Sequence, residues 1–120
     1  MQILQNVEYG GERPLFALRS AELDHVVIHP GESALKHVEN ITARDCVFEG
    51  KYPFWHAKHV TLEGGRFAPG ARAAIWYADD VRMKHTQIDA PKMFRDMENI
   101  DLEQVDLTDA METLWNCRNI

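Results

Sequence analysis

Nothing in this 120-residue sequence is apolar for eighteen residues in a row, so no membrane-spanning helix is expected. Basic residues are in the minority: Lys and Arg number 13 against 19 Asp and Glu, for a net charge of −6 with neutral histidines. That balance argues against a nucleic-acid backbone as partner, because phosphate binding needs clustered cations. Cysteine is scarce. Cys46 and Cys117 stand alone, without the CxxC spacing of a zinc knuckle. Residues 1–14 show no basic stretch followed by an apolar one, so no signal peptide is expected and the default location is cytoplasmic. The Gly64-Gly65 pair lacks the strand–loop–helix setting of a phosphate cradle and reads as close packing. No cofactor is implied.

What the chain does have is a repeat. With Ala21, Ile41, Val60, Val81, Ile100 and Ile120 as anchors, the intervals are 20, 19, 21, 19 and 20 residues. Two positions after each anchor come Leu23, Ala43, Leu62, Met83 and Leu102; seven after come Ile28, Phe48, Phe67, Ile88 and Leu107. Six before lie Leu15, Leu35, Phe54, Ile75, Phe94 and Leu114, and three before lie Leu18, Val38, Ala57, Ala78, Met97 and Cys117. An anchor and the residue two beyond it share a face only in a strand, and the residues between them are mostly polar. Length variation is confined to one Pro- and Gly-bearing segment per coil, which marks a surface turn. The position before the anchor holds Ser20, Asn40, His59, Asp80, Asn99 and Asn119, types that tolerate left-handed backbone at a bend.

These columns predict an all-β fold: a right-handed parallel β-helix, a pectate-lyase-like solenoid of about five to six coils of 19–21 residues. It forms a single domain over residues 1–120, with 1–14 as an N-terminal cap and 15–120 as coils. A leucine-rich-repeat-like solenoid is the alternative, since Met97-xx-Ile100-x-Leu102-xx-Val105-x-Leu107 has that spacing. However, its defining Asn or Cys position reads Val26, Cys46, Gly65, Thr86 and Val105, and the return segments are short for a helix. Cys46 and Cys117 fall several coils apart, beyond the roughly 7 Å Cα limit of a disulfide.

The stretches Gly10-Gly11-Glu12-Arg13-Pro14-Leu15-Phe16, Lys51-Tyr52-Pro53-Phe54-Trp55, Ala71 to Tyr77, Ala90-Pro91-Lys92-Met93-Phe94-Arg95 and Glu112-Thr113-Leu114-Trp115 resemble a bacterial family. It is the uncharacterised β-helical family called domain of unknown function 3737, and the likeness runs collinearly through essentially the whole chain. The resemblance implies the fold and a bacterial origin. It implies no activity and no catalytic residues. Members of that family run for roughly twice as many coils.

Two outward columns bear on function. Three after the anchor come Asp24, Arg44, Glu63, Lys84 and Glu103, whose alternating signs predict an ion-pair ladder that fixes register. Five before the anchor come Phe16, Lys36, Trp55, Trp76, Arg95 and Trp115, with His37, His56, Tyr77, Asp96 and Asn116 beside them. Lys36 and Arg95 place this column outside, since neither is buried unpaired in a narrow core. Three readings compete for the strip: a second small core under folded-over loops, a protein interface, or a glycan platform. Candidate ligand-binding residues are Trp55, Trp76, Trp115, Arg95, Tyr77 and His56. Glu32, Asp89 and Glu112 lie in the loops next to this strip and are the catalytic candidates; Asp89 and Glu112 are on adjacent coils, a placement that allows the roughly 5 Å separation of a retaining glycosidase pair. His37, His56 and Asp96 are too spread for a metal site, and none is expected.

The leading functional expectation is therefore a non-catalytic binding or scaffold module acting through the aromatic strip or an open end. The alternative is a carbohydrate-active enzyme, a glycoside hydrolase or lyase, with a groove along Trp55, Trp76 and Trp115. Uncovered strand edges and apolar residues in the C-terminal coil predict a homo-oligomer, a dimer docked through that coil.

Overall fold

A computed structural model describes residues 2–108 and 111–120, and it is a parallel β-solenoid. The strands are β1 (Gln2–Gln5), β2 (Glu8–Glu12), β3 (Arg19–Asp24), β4 (Val27–Glu32), β5 (Glu39–Arg44), β6 (Val47–Phe48), β7 (Lys58–Glu63), β8 (Arg66–Phe67), β9 (Asp79–Lys84), β10 (Gln87–Ile88), β11 (Glu98–Glu103) and β12 (Asp106–Leu107). Odd-numbered strands stack in one six-stranded sheet and even-numbered strands in another. Every pairing is parallel and joins one coil to the next. No helix occurs among the described residues, which removes the leucine-rich-repeat alternative; none is therefore long and apolar enough to cross a membrane.

The anchors set the register. Ala21 pairs with Ile41, Ile41 with Val60, Val60 with Val81 and Val81 with Ile100. Their side chains are buried, as are Leu23, Ala43, Leu62 and Met83 two residues on. Rings continue the stacking inside: Phe48 lies over Phe67 at 4.7 Å, and Phe54 meets Phe48 edge-on at 5.2 Å. At the corner five residues past the anchor, Val26, Cys46 and Thr86 point inward. The Thr86 hydroxyl is satisfied by donating to Lys84 O, and the Cys46 thiol by donating to Arg44 O.

Residues 2–12, within the segment 1–14 expected to cap the stack, run as a further coil. β1 pairs with β3 (Gln2 opposite Ala21) and β2 with β4 (Glu8 opposite Val27), so this segment covers its neighbour as a rung does. The bend before each of the six anchors is left-handed, with φ between 53° and 61° at Ser20, Asn40, His59, Asp80, Asn99 and Asn119. Several of these side chains bond along the stack, Asn40 to Ser20 and His59 to Asp80 among them.

The third face is built differently. Leu15, Leu35, Phe54, Ile75, Phe94 and Leu114 all have φ between 54° and 62°, and the residues two later, Ala17, His37, His56, Tyr77, Asp96 and Asn116, between 51° and 59°. Left-handed backbone breaks the strict alternation of a strand. The residues six and three before the anchor then face inward, while the two between them face out together. Each such residue costs about 1–2 kcal/mol. The cost is offset by inter-coil hydrogen bonds, such as Phe54 N to Ala34 O at 2.9 Å and Ile75 N to Pro53 O at 2.8 Å, and by complete burial of the Phe54 and Ile75 side chains. Burying a large apolar side chain contributes about 1.5–3 kcal/mol, so the balance favours the turn.

The predicted charge ladder forms only in part. Lys84 reaches Glu103 at 3.5 Å, but Arg44 turns to Glu22 at 3.9 Å and Asp24 accepts a hydrogen bond from His25 at 2.6 Å. Glu63 makes no ion pair among the described residues. Long exposed side chains choose between diagonal and in-column partners at little energetic difference. Elsewhere His29 is held between coils, bonded through Nε2 to Glu8 and through Nδ1 to Glu49 at 3.1 Å. The hydrogen bond with Glu8, ahead of that with Glu49, raises the His29 pKa.

Candidate functional site

The paired outward residues of the third face place two columns of rings side by side. In one, the Trp55 and Trp76 indoles lie parallel at 5.0 Å, and the Arg95 guanidinium follows at 4.9 Å from the Trp76 ring and 6.0 Å from that of Trp115. Isolated parallel bridges Trp76–Arg95 and Arg95–Trp115 hold these rungs in register. In the other column His37, His56 and Tyr77 stack at 4.9 and 5.0 Å. Tyr77 also presents its ring edge-on to Trp55 at 5.6 Å, locking one column against the other.

The loops do not close over this face to make a second core. Trp55 and Trp76 are half-buried, Tyr77 is 42% exposed and Trp115 61% exposed. What the loops supply is anchorage. The Trp55 indole N–H donates to Ala73 O at 2.6 Å and that of Trp76 to Lys92 O at 2.7 Å. The Trp115 N–H has no partner among the described residues. The ring faces of Trp55 and Trp76 meet each other along the stack, so a ligand approaching from the side meets ring edges.

One opening interrupts this pattern. An open cleft of about 240 Å³ is lined by Trp76, Lys92, Arg95, Glu112 and Trp115. It gathers four of the residues singled out in the sequence: Trp76, Arg95, Trp115 and Glu112. Lys92 is the addition; as a lone loop lysine it carried no sequence signal. Arg95 Nε faces Asp96 at 3.4 Å, and Asp96 in turn accepts from Asn116. His56 lies in the neighbouring ring column, where burial, then the proximity of His37 and Lys36, lowers its pKa.

The other two acidic candidates are occupied elsewhere. Asp89 accepts from Gln87 Nε2 and from Arg66 Nε, both at 2.7 Å, and these bonds hold its pKa below the usual value. Glu32 pairs with Lys51 at 3.1 Å. Neither lines the cleft that holds Glu112. The only grouping of potential metal ligands among the described residues is Asp24, His25 and Asp45, an exposed corner where His25 already bonds Asp24.

A model of the family described as protein of unknown function (DUF3737) matches residues 2–120. No curated protein and no solved structure matches the chain.

Proposed function

The chain belongs to the DUF3737 family, and because that family brings no activity with it, we propose from the geometry that this solenoid is a non-catalytic recognition module acting through its aromatic face. The observation that carries the reading is the state of the rings. Two tryptophans are fixed by N–H bonds to loop carbonyls, while a third, Trp115, stands 61% exposed across Arg95 from them. A rigid aromatic and cationic surface of this kind offers contact area at low entropic cost. The carbohydrate-active alternative has less support. Its groove would need exposed ring faces and a second free carboxylate beside Glu112, whereas Asp89 is held by Arg66 and Gln87.

The test compares Trp115→Ala with Trp76→Ala. A recognition residue with an open ring costs about 1 kcal/mol or less when truncated, whereas a buried aromatic costs about 3–5 kcal/mol. Loss of Trp115 should leave the urea midpoint nearly in place and remove binding. A Trp115→Ala loss as large as that of a core Phe would make the ladder a structural spine and end the recognition reading.

Self-association is the second part of the proposal. Leu107, Met111 and Ile120 expose 43%, 69% and 63% of their surface in the last described coil, and a second copy docked there would cover them. Two free thiols, one of them buried, are consistent with a reducing, cytoplasmic compartment.

A further inference from the structure

We infer that the cleft over Arg95 is a binding slot for a single planar ring that carries a carboxylate. The inference rests on the recognition reading above and names the ligand class for one part of that face.

The spacing of the ladder carries the argument. Trp55 and Trp76, on adjacent rungs, stack at 5.0 Å and 9°. Trp76 and Trp115 are two rungs apart, about 9.6 Å at the usual strand spacing. One ring-thick plane therefore separates them, and Arg95 is the residue in that plane, 4.9 Å from one indole and 6.0 Å from the other. A guanidinium is as thin as an aromatic ring but narrower than an indole. Trp76, Arg95 and Trp115 all line the cleft, which therefore opens beside the guanidinium. A planar ligand entering there continues the stack at the spacing the protein itself uses.

Charge selects an acid. Lys92 makes no ion pair among the described residues; Arg95 approaches Asp96 through Nε, and its two Nη groups donate no hydrogen bond among those residues. A carboxylate coplanar with the guanidinium takes both Nη donors, the bidentate geometry that arginine favours. Glu112 is the one carboxylate in the lining, so the lining carries two positive charges against one negative in a chain whose net charge is −6. Neither Glu112 nor the Trp115 N–H has a hydrogen-bond partner among the described residues, so the one can accept from a ring hydroxyl or N–H and the other can donate. At about 240 Å³ the cleft lies below the roughly 300–1,000 Å³ of drug-sized sites, which is room for one ring.

The rigid side of the slot is already built, since Trp76 holds the backbone of Lys92 through its indole N–H. Arg95 therefore meets the ligand without a loop having to close.

The experiment is a titration of the isotopically labelled 120-residue protein with benzoate, followed through its three indole N–H resonances. Cyclohexanecarboxylate serves as the non-planar acid and benzamide as the planar neutral analogue. Saturable shifts at millimolar benzoate, larger for Trp76 and Trp115 than for Trp55, are expected. Each analogue should bind about tenfold more weakly or worse. Arg95→Gln should abolish the benzoate shifts while retaining the parent's circular dichroism and melting midpoint to within a few degrees. Should Arg95→Gln fail to fold, Lys92→Ala takes its place and should weaken benzoate severalfold. Equal binding of benzamide or cyclohexanecarboxylate, shifts confined to Trp55, an indifferent Arg95→Gln, or no saturable shift would each overturn the slot. If the acid fails while a glycan or peptide gives Trp115-dependent shifts, the slot falls and the recognition reading stands. If Trp115→Ala unfolds the chain, the recognition reading is what has failed.

Discussion

Replacing Gly65 by Ala is the most direct way to measure how tightly successive coils are pressed together. Gly65 has φ +87°, and a Cβ built there lies 2.3 Å from Cys46 O in the coil below and 2.9 Å from Cys46 N. Two penalties therefore combine: about 1–2 kcal/mol for an L-residue in left-handed backbone, and about 1–3 kcal/mol for forcing a packed contact apart. The total is about 2–5 kcal/mol. Gly64 is the internal control. Its φ of +69° carries the first penalty, but the close contacts of its Cβ would be with the Asp45 carboxylate, Oδ1 at 2.2 Å and Cγ at 3.3 Å, the far end of a side chain that can swing away. Asp45, His85 and Gln104 occupy the same position in other coils at φ 50–51°, so Gly64→Ala should cost only about 1–2 kcal/mol. Urea unfolding with unchanged slope reads both numbers. A Gly65→Ala loss no larger than that of Gly64→Ala would mean that the coils relax apart freely, and the close-approach argument would be wrong.

Two further outcomes follow from contacts already described. His29 has a raised pKa, so its clamp on Glu8 and Glu49 stabilises the fold below the unfolded value of about 6.5 and is lost as pH rises through the folded value. The melting midpoint should therefore fall as pH rises above about 6.5, and His29→Gln should flatten that part of the profile; an unchanged profile in the variant would disprove the clamp. For self-association, Leu107→Lys should convert an assembled 120-residue chain to monomer in light scattering, and a monomeric parent would refute pairing through that coil.

Much of this architecture is legible in the sequence because a solenoid writes its register into the chain. Every anchor pairing, from Ala21–Ile41 to Val81–Ile100, can be read from intervals of 19 to 21 residues. The left-handed bends are legible too, since Asn and Asp at one position have few other uses. The third face is not. Phe54 and Ile75 give no hint of positive φ, because bulky and β-branched residues avoid it, and only cooperative packing within the stack imposes it. The pairing of exposed charges is not legible either. Sign alternation put Arg44 opposite Asp24 and Glu63, yet a partner at Glu22 is within equal reach. For the candidate site, the ring column could be read directly, whereas Lys92 and the engagement of Asp89 by Arg66 depended on loop paths that vary from coil to coil.

The pairing of each strand with the next coil alone has a kinetic side. Almost every backbone bond closes a loop of about twenty residues, and loop-closure entropy grows only slowly with length. The first two coils to meet must close such a loop with no template beneath them. Each later coil lays its strands on edges that already exist, at the same entropic charge and with a larger apolar gain. Folding of this chain is thus a nucleated, one-dimensional growth process. Its slow step should sit where the interior is bulkiest, around Phe48, Phe54 and Phe67, with amide-exchange protection falling away from there toward both termini.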